Sequence, residues 1–435
     1  MSEKPMTVPG IAKRARRAAR TLGTLPTAVK NAAILAAATA IEERVDAILD
    51  ANEGDLAEAR PLLAAGSLAP ALFERLPLDR RKVAAMAAGL RAVASLEDPA
   101  GRVLSRTLLD DGLVLTRRSV PLGVVAVVFE SRPDAVPQIS ALAAKSGNAA
   151  ILKGGREAVR SARVLVDILD SAFRSQGLPE GGLTLLTGRD EVDALLACEK
   201  DVDLVIPRGG NALVRYVQEH TRIPVLGHAE GICHVYVDRA ADPAKAVAIA
   251  VDSKLQYPAA CNAAEAILVH RQAAHVLVPR LVAALSAAGC EVRGCDETRA
   301  LAEVGAATHS DFDTEFSAPV VAMKVVADLD EAIDHVNEHS SRHTDAIVTE
   351  DSAAAERFLR EVDSAGVFHN ASTRFADGFR YGLGAEVGIS TNKLHARGPV
   401  GLEGLVTYRW ELRGAGQIVA TYSGKDPRHF RHLKL

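Results

Sequence analysis

From residue 124 to residue 220 the chain alternates short, uniformly apolar runs with helical stretches. The runs are VVAVVF (124–129), AAILKGG (149–155), LTLLTG (183–188) and DLVIPRGG (203–210). Between and after them lie ISALAAKSG, EAVRSARVLVDILDSAFRSQG, DEVDALLACEK and NALVRYVQEH, with Gly147 and Gly177 as helix stops. Strands apolar on both faces, joined by helices, make a parallel doubly wound sheet. Such a sheet takes its ligand at the C-terminal ends of its strands.

Other stretches organise the rest. Residues 10–95 carry Ala, Leu, Ile and Val at three- and four-residue spacings and read as helices. Their basic start, IAKRARRAAR (11–20), reads as a surface helix of the mature chain, because acidic residues return at Glu42, Glu43 and Asp46. GLVLTRRSVPLG, from Gly112 to Gly123, reads as a hairpin arm. A second α/β set follows Asp252, with strand candidates at 264–270, 319–326, 345–350 and 365–370. The Gly-rich stretch 371–404 is irregular, and segments of that length without structure are commonly functional. VTYRWELR (406–413) alternates like an edge strand.

Composition removes several classes of function. A net charge of −4 and 4% aromatic residues argue against a nucleic-acid partner. No apolar run reaches the length of a membrane span, so no membrane is expected either. Five cysteines without a framework spacing fit a reducing, cytoplasmic setting in which one thiol does chemistry.

Cys261 is the thiol to choose. It stands in LQYPAACNAAEAILV, in a turn between a helix and a strand, with small neighbours and the amide of Asn262 beside it. Cys198 reads as a small apolar filler, Cys290 and Cys295 as peripheral. Cys233 and His234 are strand neighbours and point to opposite faces. Lys153 ends a strand ahead of Gly154 and Gly155, and Pro207-Arg208-Gly209-Gly210 repeats that layout. Two such turns in one sheet point to a nucleotide phosphate, although no GxGxxG or Walker A sequence is present. His335-Val336-Asn337-Glu338-His339 matches the H-x-x-E-H zinc pattern. With no third ligand in view it reads as a solvated helix flank, and no metal is expected.

VPLGVVAVVFESRPDAVPQISALAAKSGNAAILKGGREA (120–158), HAEGICHVYVD (228–238), LQYPAACNAAEAILV (255–269), VFHNASTRFADG (367–378) and GLGAEVGISTNKLHARGPVGLEGL (382–405) resemble the gamma-glutamyl phosphate reductases, also called glutamate-5-semialdehyde dehydrogenases. That family is a branch of the aldehyde dehydrogenase superfamily, and the likeness runs from about residue 10 to 420. It implies an aldehyde-dehydrogenase-like α/β fold of two doubly wound domains plus a small β oligomerisation arm. By that likeness residues 1–104 and 123–255 bind NADPH, 256–404 form the catalytic domain, and 105–122 with 405–435 form the arm.

The resemblance also implies roles. Cys261 is the nucleophile and Lys153 the adenosine-ribose lysine. Arg156 stands where NAD-using relatives carry a Glu, which favours NADPH over NADH. Glu315, in EFSAPV (315–320), corresponds to the carboxylate on the nicotinamide ribose. Arg208, Gly209 and Gly210 fall near the pyrophosphate. Glu230 is offset from the water-activating Glu of the hydrolytic enzymes, so that role is not carried over. Ser131, Arg132 and Asn262 are candidates for the oxyanion donor. Arg132, Arg374 and Arg397, with Lys393 and His395, are candidates for binding the substrate. The implied reaction reduces L-glutamyl 5-phosphate to L-glutamate 5-semialdehyde with release of phosphate, the second step of proline biosynthesis from glutamate. The expected partners are a second copy of the chain, as dimer or tetramer, and glutamate 5-kinase. The rival readings are a hydrolytic aldehyde dehydrogenase, a nucleotide-binding module without turnover, and a zinc hydrolase built on His335 and His339.

Overall fold

The computed structural model describes residues 6–188, 190–228, 230–393 and 395–435. Ala229, inside the His228–Ile232 segment, lies outside the described residues. The chain divides into two compact units. The first holds Met1–Leu226, Leu383–Gly388 and Val400–Leu435; the second holds Gly227–Gly382 and Ile389–Pro399. Strand Cys233–Val237 and helix Pro243–Leu255 therefore build the second unit. The sequence reading draws its border after residue 255. The difference arises because Cys233–Val237 is hydrogen-bonded into the sheet of the second unit, next to Ala264–His270.

In the first unit a four-stranded parallel sheet runs in the order Leu183–Leu186, Ala149–Lys153, Val124–Phe129, Leu204–Arg208. All six residues of the central strand Val124–Phe129 are buried. The chain order of this sheet is 3-2-1-4, so its direction of growth reverses between Val124–Phe129 and Leu204–Arg208, where such sheets bind ligands. Helix Ala135–Ser146 ends at Gly147 in the left-handed conformation, φ 80°. The N-terminal helix Val8–Leu22 buries Ile11, Ala12, Ala15, Ala18, Ala19 and Leu22, a helix-spaced apolar stripe, and leaves its basic face outward.

The hairpin arm is present. Val103–Asp110 and Leu113–Pro121 pair antiparallel, and Val406–Arg413 adds to the free side of the second as an edge strand. Leu433–Lys434 closes the other edge. Among the described residues no helix is long and apolar enough to cross a membrane.

The second unit carries a seven-stranded sheet, parallel throughout. Its order is Gly305–Ala306, Glu291–Gly294, Val320–Val326, Ala264–His270, Cys233–Val237, Thr344–Val348, Gly366–His369. The core lies on both faces of it. Helix Arg271–Ala287 covers one side with Leu277, Val278, Leu281 and Leu285, against Ile267 and Val269. Ile333, Val336 and Phe358 cover the other, against Tyr236, Leu268 and Ile347. Cys290 is not peripheral: it is buried in the first of these clusters, with Cys295 packed against it. The cause is strand Glu291–Gly294, which brings both cysteines to the sheet.

Candidate active site

Helix Pro243–Leu255 delivers the chain to a turn that holds Cys261, and strand Ala264–His270 leaves it. The turn is pinned by backbone bonds Ala260 N to Tyr257 O (3.1 Å) and Ala263 N to Ala260 O (2.8 Å). Cys261 is half-buried, and all five thiols are free. Its Sγ lies 3.3 Å from Nε2 of His343, whose ring is buried and whose Nδ1 lies 2.9 Å from Thr344 Oγ1. With the proton on Nδ1, facing Thr344 Oγ1, His343 presents the Nε2 lone pair to the thiol. His228 stands edge-on to His343 with ring centroids 5.0 Å apart, its Nδ1 3.1 Å from Ile389 O.

His343 owes its place to the sheet. It precedes strand Thr344–Val348, and Asp345 in that strand is fully buried. The Asp345 carboxylate accepts from His234 N (2.7 Å), His234 Nδ1 (3.1 Å), Ser340 Oγ (2.7 Å) and Ser364 Oγ (2.5 Å). Ser341 Oγ accepts from Ile232 N at 2.8 Å. Segment 340–345 is thus tied to strand Cys233–Val237 on one side and to Ser364 on the other. Gly231 packs directly on the Cys261 peptide, and a Cβ there would lie 2.1 Å from Cys261 O, so only glycine fits. Its N–H donates to Glu315 Oε2 at 3.1 Å.

The sequence-selected residues of this unit separate into groups. Cys261 and Glu315 meet the same Gly231. Arg374 Nε donates to Gln256 Oε1 at 2.9 Å, and its guanidinium stands 5.9 Å from the Tyr257 ring centroid. Burial lowers the Arg374 pKa, Arg380 lowers it further, and Cys261 opposes both. Asn262 is buried and donates from Nδ2 to Ala376 O at 2.8 Å. It ties the cysteine turn to the 376 segment. Arg397 and Lys393 both grip Asp363, at 3.1 and 2.6 Å, and lower its pKa. His395 takes a left-handed φ of 64°.

The H-x-x-E-H helix is not a solvated flank. His335 is 5% exposed, and its ring stacks edge-on against both His234 and Phe312. His339 Nδ1 faces Asp313 Oδ1 at 2.7 Å. Helix Leu329–His339 turns that edge inward because Ala332, Ile333 and Val336 pack on the sheet. Among the described residues the group of three ligand side chains that converges is another one, His228, Cys261 and His343.

The nucleotide candidates other than Glu315 belong to the first unit. Lys153 pairs with Val128 on one side of the central strand, and Pro207 and Arg208 pair with Val128 and Phe129 on the other. Both turns therefore flank the end of one strand, at the reversal point. Lys153 is buried, its Nζ donates to Gly154 O at 2.8 Å, and burial pushes its pKa down. Arg156 is exposed, at the start of a short helical turn. Gly210 N donates to Glu130 Oε2 at 2.8 Å, and a Cβ on Gly209 would fall 2.4 Å from that oxygen. Ser131 is buried with φ 41°, and its N–H and hydroxyl both donate to Glu157 Oε1, at 2.8 and 2.6 Å. Arg132 follows it, half-buried.

His343, His228 and Gly231 escape the sequence argument. His343 belongs to none of the family-like segments, and His228 and Gly231, inside HAEGICHVYVD, carry no local mark of a site residue.

A half-buried thiol on a turn of a parallel α/β unit, paired with an imidazole, defines a thiol-dependent enzyme. The aldehyde dehydrogenase family model matches residues 2–308 and 301–384, and the chain belongs to that family. A gamma-glutamyl phosphate reductase from Cyanothece sp. is 55% identical over 431 residues, 99% of each chain. One from Synechococcus sp. is 56% identical over 420 residues, 96% of this chain and 92% of its own. The crystal structure of a gamma-glutamyl phosphate reductase from Thermotoga maritima superposes with a TM-score of 0.91 at 38% identity, covering 94% of this chain and 99% of that one. The acetylating aldehyde dehydrogenase of Geobacillus thermoglucosidasius, at 16% identity and TM-score 0.65, shares the fold. Within the aldehyde dehydrogenases the chain falls among the gamma-glutamyl phosphate reductases, and it is an oxidoreductase of the glutamate-5-semialdehyde dehydrogenase type. The family uses nicotinamide cofactors. The two glycine-containing turns at the reversal point of the first sheet suit such a nucleotide.

Proposed function

We propose that this enzyme reduces L-glutamyl 5-phosphate to L-glutamate 5-semialdehyde through a thioester on Cys261, with NADPH as reductant. The observation that carries the reading is the 3.3 Å approach of Cys261 Sγ to His343 Nε2. His343 takes the thiol proton on Nε2, and Thr344 Oγ1 steadies the resulting imidazolium through Nδ1. The thiolate attacks the acyl carbon, a C–S bond forms, and the C–O bond to phosphate breaks. Phosphate leaves as a stable anion, so no acid of the protein is required. Arg374, held by Gln256 next to the cysteine turn, meets the charge of the departing phosphate. Backbone N–H groups of the Cys261 turn hold the oxyanion; one such donor is typically worth about 3 kcal/mol. Asn262 positions the turn through Ala376.

When bound, the reduced nicotinamide supplies the hydride that releases the aldehyde and returns the thiolate. Lys153, Gly154, Pro207, Arg208, Gly209 and Gly210 would hold the nucleotide, and Glu315 its nicotinamide ribose. Arg156 selects the 2′-phosphate, since a guanidinium attracts what a Glu would repel. Arg132 and Arg397 remain proposed contacts of the substrate carboxylate and phosphate. The first unit, apart from its antiparallel sheet, is the nucleotide domain, and the second unit is the catalytic one. The edge strand Val406–Arg413 leaves Tyr408, Trp410 and Leu412 exposed, which supports that sheet as the arm of a homo-oligomer. A labile acyl phosphate also makes glutamate 5-kinase the natural partner, in the cytoplasm.

The test is reduction of NADP⁺ by glutamate semialdehyde with and without inorganic phosphate. Phosphate resolves the thioester in this reading, so the steady rate requires it. An equal rate without phosphate refutes the reading and favours hydrolysis.

A further inference from the structure

Outside the proposed turnover, the cysteine turn has the donor set of a metal site. The ligand atoms of His228, Cys261 and His343 all lie within 4.8 Å of one another. In a tetrahedral zinc site with ordinary Zn–S and Zn–N bonds, ligand atoms stand about 3.3–3.6 Å apart. The Cys261–His343 edge already has that length, 3.3 Å. The edges to His228 are at most 4.8 Å, so closing the triangle on an ion asks the half-exposed His228 side chain to move inward. Both imidazoles also carry the outer contact that metal-binding histidines use. His343 Nδ1 faces Thr344 Oγ1 at 2.9 Å and His228 Nδ1 faces Ile389 O at 3.1 Å. The carbonyl of Ile389 can only accept, which puts the His228 proton on Nδ1 and leaves Nε2 as ligand; the Thr344 hydroxyl can serve His343 in the same way. One thiolate and two imidazoles suit Zn²⁺ better than the hard cations Mg²⁺ or Ca²⁺. Cys261 and His228 are half-exposed, so an ion can reach them.

We propose that Zn²⁺ binds reversibly across His228, Cys261 and His343 and silences the thiol. The ion replaces the thiol proton: the S–H bond breaks, the proton goes to solvent, and an S–Zn bond forms with no change of oxidation state. The fourth position is left to water. A sulfur so bound attacks neither an acyl carbon nor an alkylating agent.

The experiment uses the full chain, stripped with EDTA, and Zn²⁺ alone as probe. Iodoacetamide labelling of Cys261 is followed by mass spectrometry while Zn²⁺ is titrated by competition with a chromophoric chelator. One equivalent of Zn²⁺ is expected to slow labelling at least about tenfold, and EDTA to restore it. His228→Ala is expected to weaken Zn²⁺ binding at least about tenfold. Thr344→Val, which keeps all three ligands, is expected to weaken it by about the same factor and serves should the first variant not fold. Co²⁺ in place of Zn²⁺ should show a thiolate charge-transfer band. Undiminished labelling at one equivalent, or binding that neither variant weakens, overturns the proposal. Since labelling and binding need no substrate, failure of the thioester reading would leave these outcomes unchanged.

Discussion

The two parallel sheets handle polar chemistry in opposite ways. In the first unit the strands are apolar almost to their ends. Val124–Phe129 contains no polar side chain, and Ala149–Lys153 has one, at its last position. The ionisable residues of its parallel strands, Lys153 and Arg208, stand at the strands' last positions, on the rim. In the second unit ionisable groups stand inside the strands. His234, Glu265 and Asp345 are fully buried, and Lys254 reaches Glu265 Oε2 at 2.5 Å. A rim group can change with the ligand while the sheet persists. A buried network holds loops from several strands in one arrangement, and its members are costly to remove singly. The second sheet is built to position a site, the first to offer an edge.

That contrast can be broken at several points, beginning with the most severe. Cys261→Ala is expected to lower turnover by about 10³-fold or more, with an unchanged melting temperature. A variant that keeps its rate would remove the thiol from the chemistry. His343→Gln is expected to lower kcat by about 10²-fold, the ordinary worth of a general base, with partial recovery at alkaline pH as the thiol ionises unaided. A pH-independent defect would make His343 purely structural.

The buried pair sharpens the contrast in stability. Lys254→Met should cost about 3–5 kcal/mol by denaturant unfolding near pH 8, because it strands the Glu265 carboxylate. Adding Glu265→Leu should recover much of that loss. Burial already pushes Glu265 up to about 7 from an ordinary 4.5, despite the opposing Lys254 ammonium. The folded state therefore binds this proton more tightly than the unfolded chain does. Its contribution is greatest in acid and is lost as pH rises through about 7. The Lys254→Met defect should accordingly shrink on acidification; a defect constant from pH 5 to pH 8 would show that charge is not its cause. On the rim of the first sheet the effects should be smallest. Arg156→Glu is expected to change the NADPH-to-NADH preference by about tenfold to a hundredfold and stability by under about 0.5 kcal/mol. An unmoved preference would take Arg156 out of cofactor selection.

Residues 124–210 reveal their sheet to a reader of sequence because each strand is a local apolar run and each helix carries its own stop. The arm is legible for the same reason, in the alternation of 113–121 and 406–413. Lys153, Arg156 and the Cys261 turn are likewise local patterns, although the family resemblance supplied their roles. The errors also have local causes. Cys290 reads as peripheral until strand Glu291–Gly294 draws it to the sheet, and His335 reads as solvated until Val336 and Ile333 turn its helix.

What the sequence determined alone is the alternation, and with it the fold class, because strand and helix periodicities are written in neighbouring residues. What only the tertiary structure decided is the company Cys261 keeps. His343 lies 82 residues away and arrives through a parallel strand locked by Asp345. Gly231 comes from the segment just ahead of Cys233–Val237, the strand between theirs in the sheet. Strand order in a sheet is set by long-range packing, which no short stretch of sequence records.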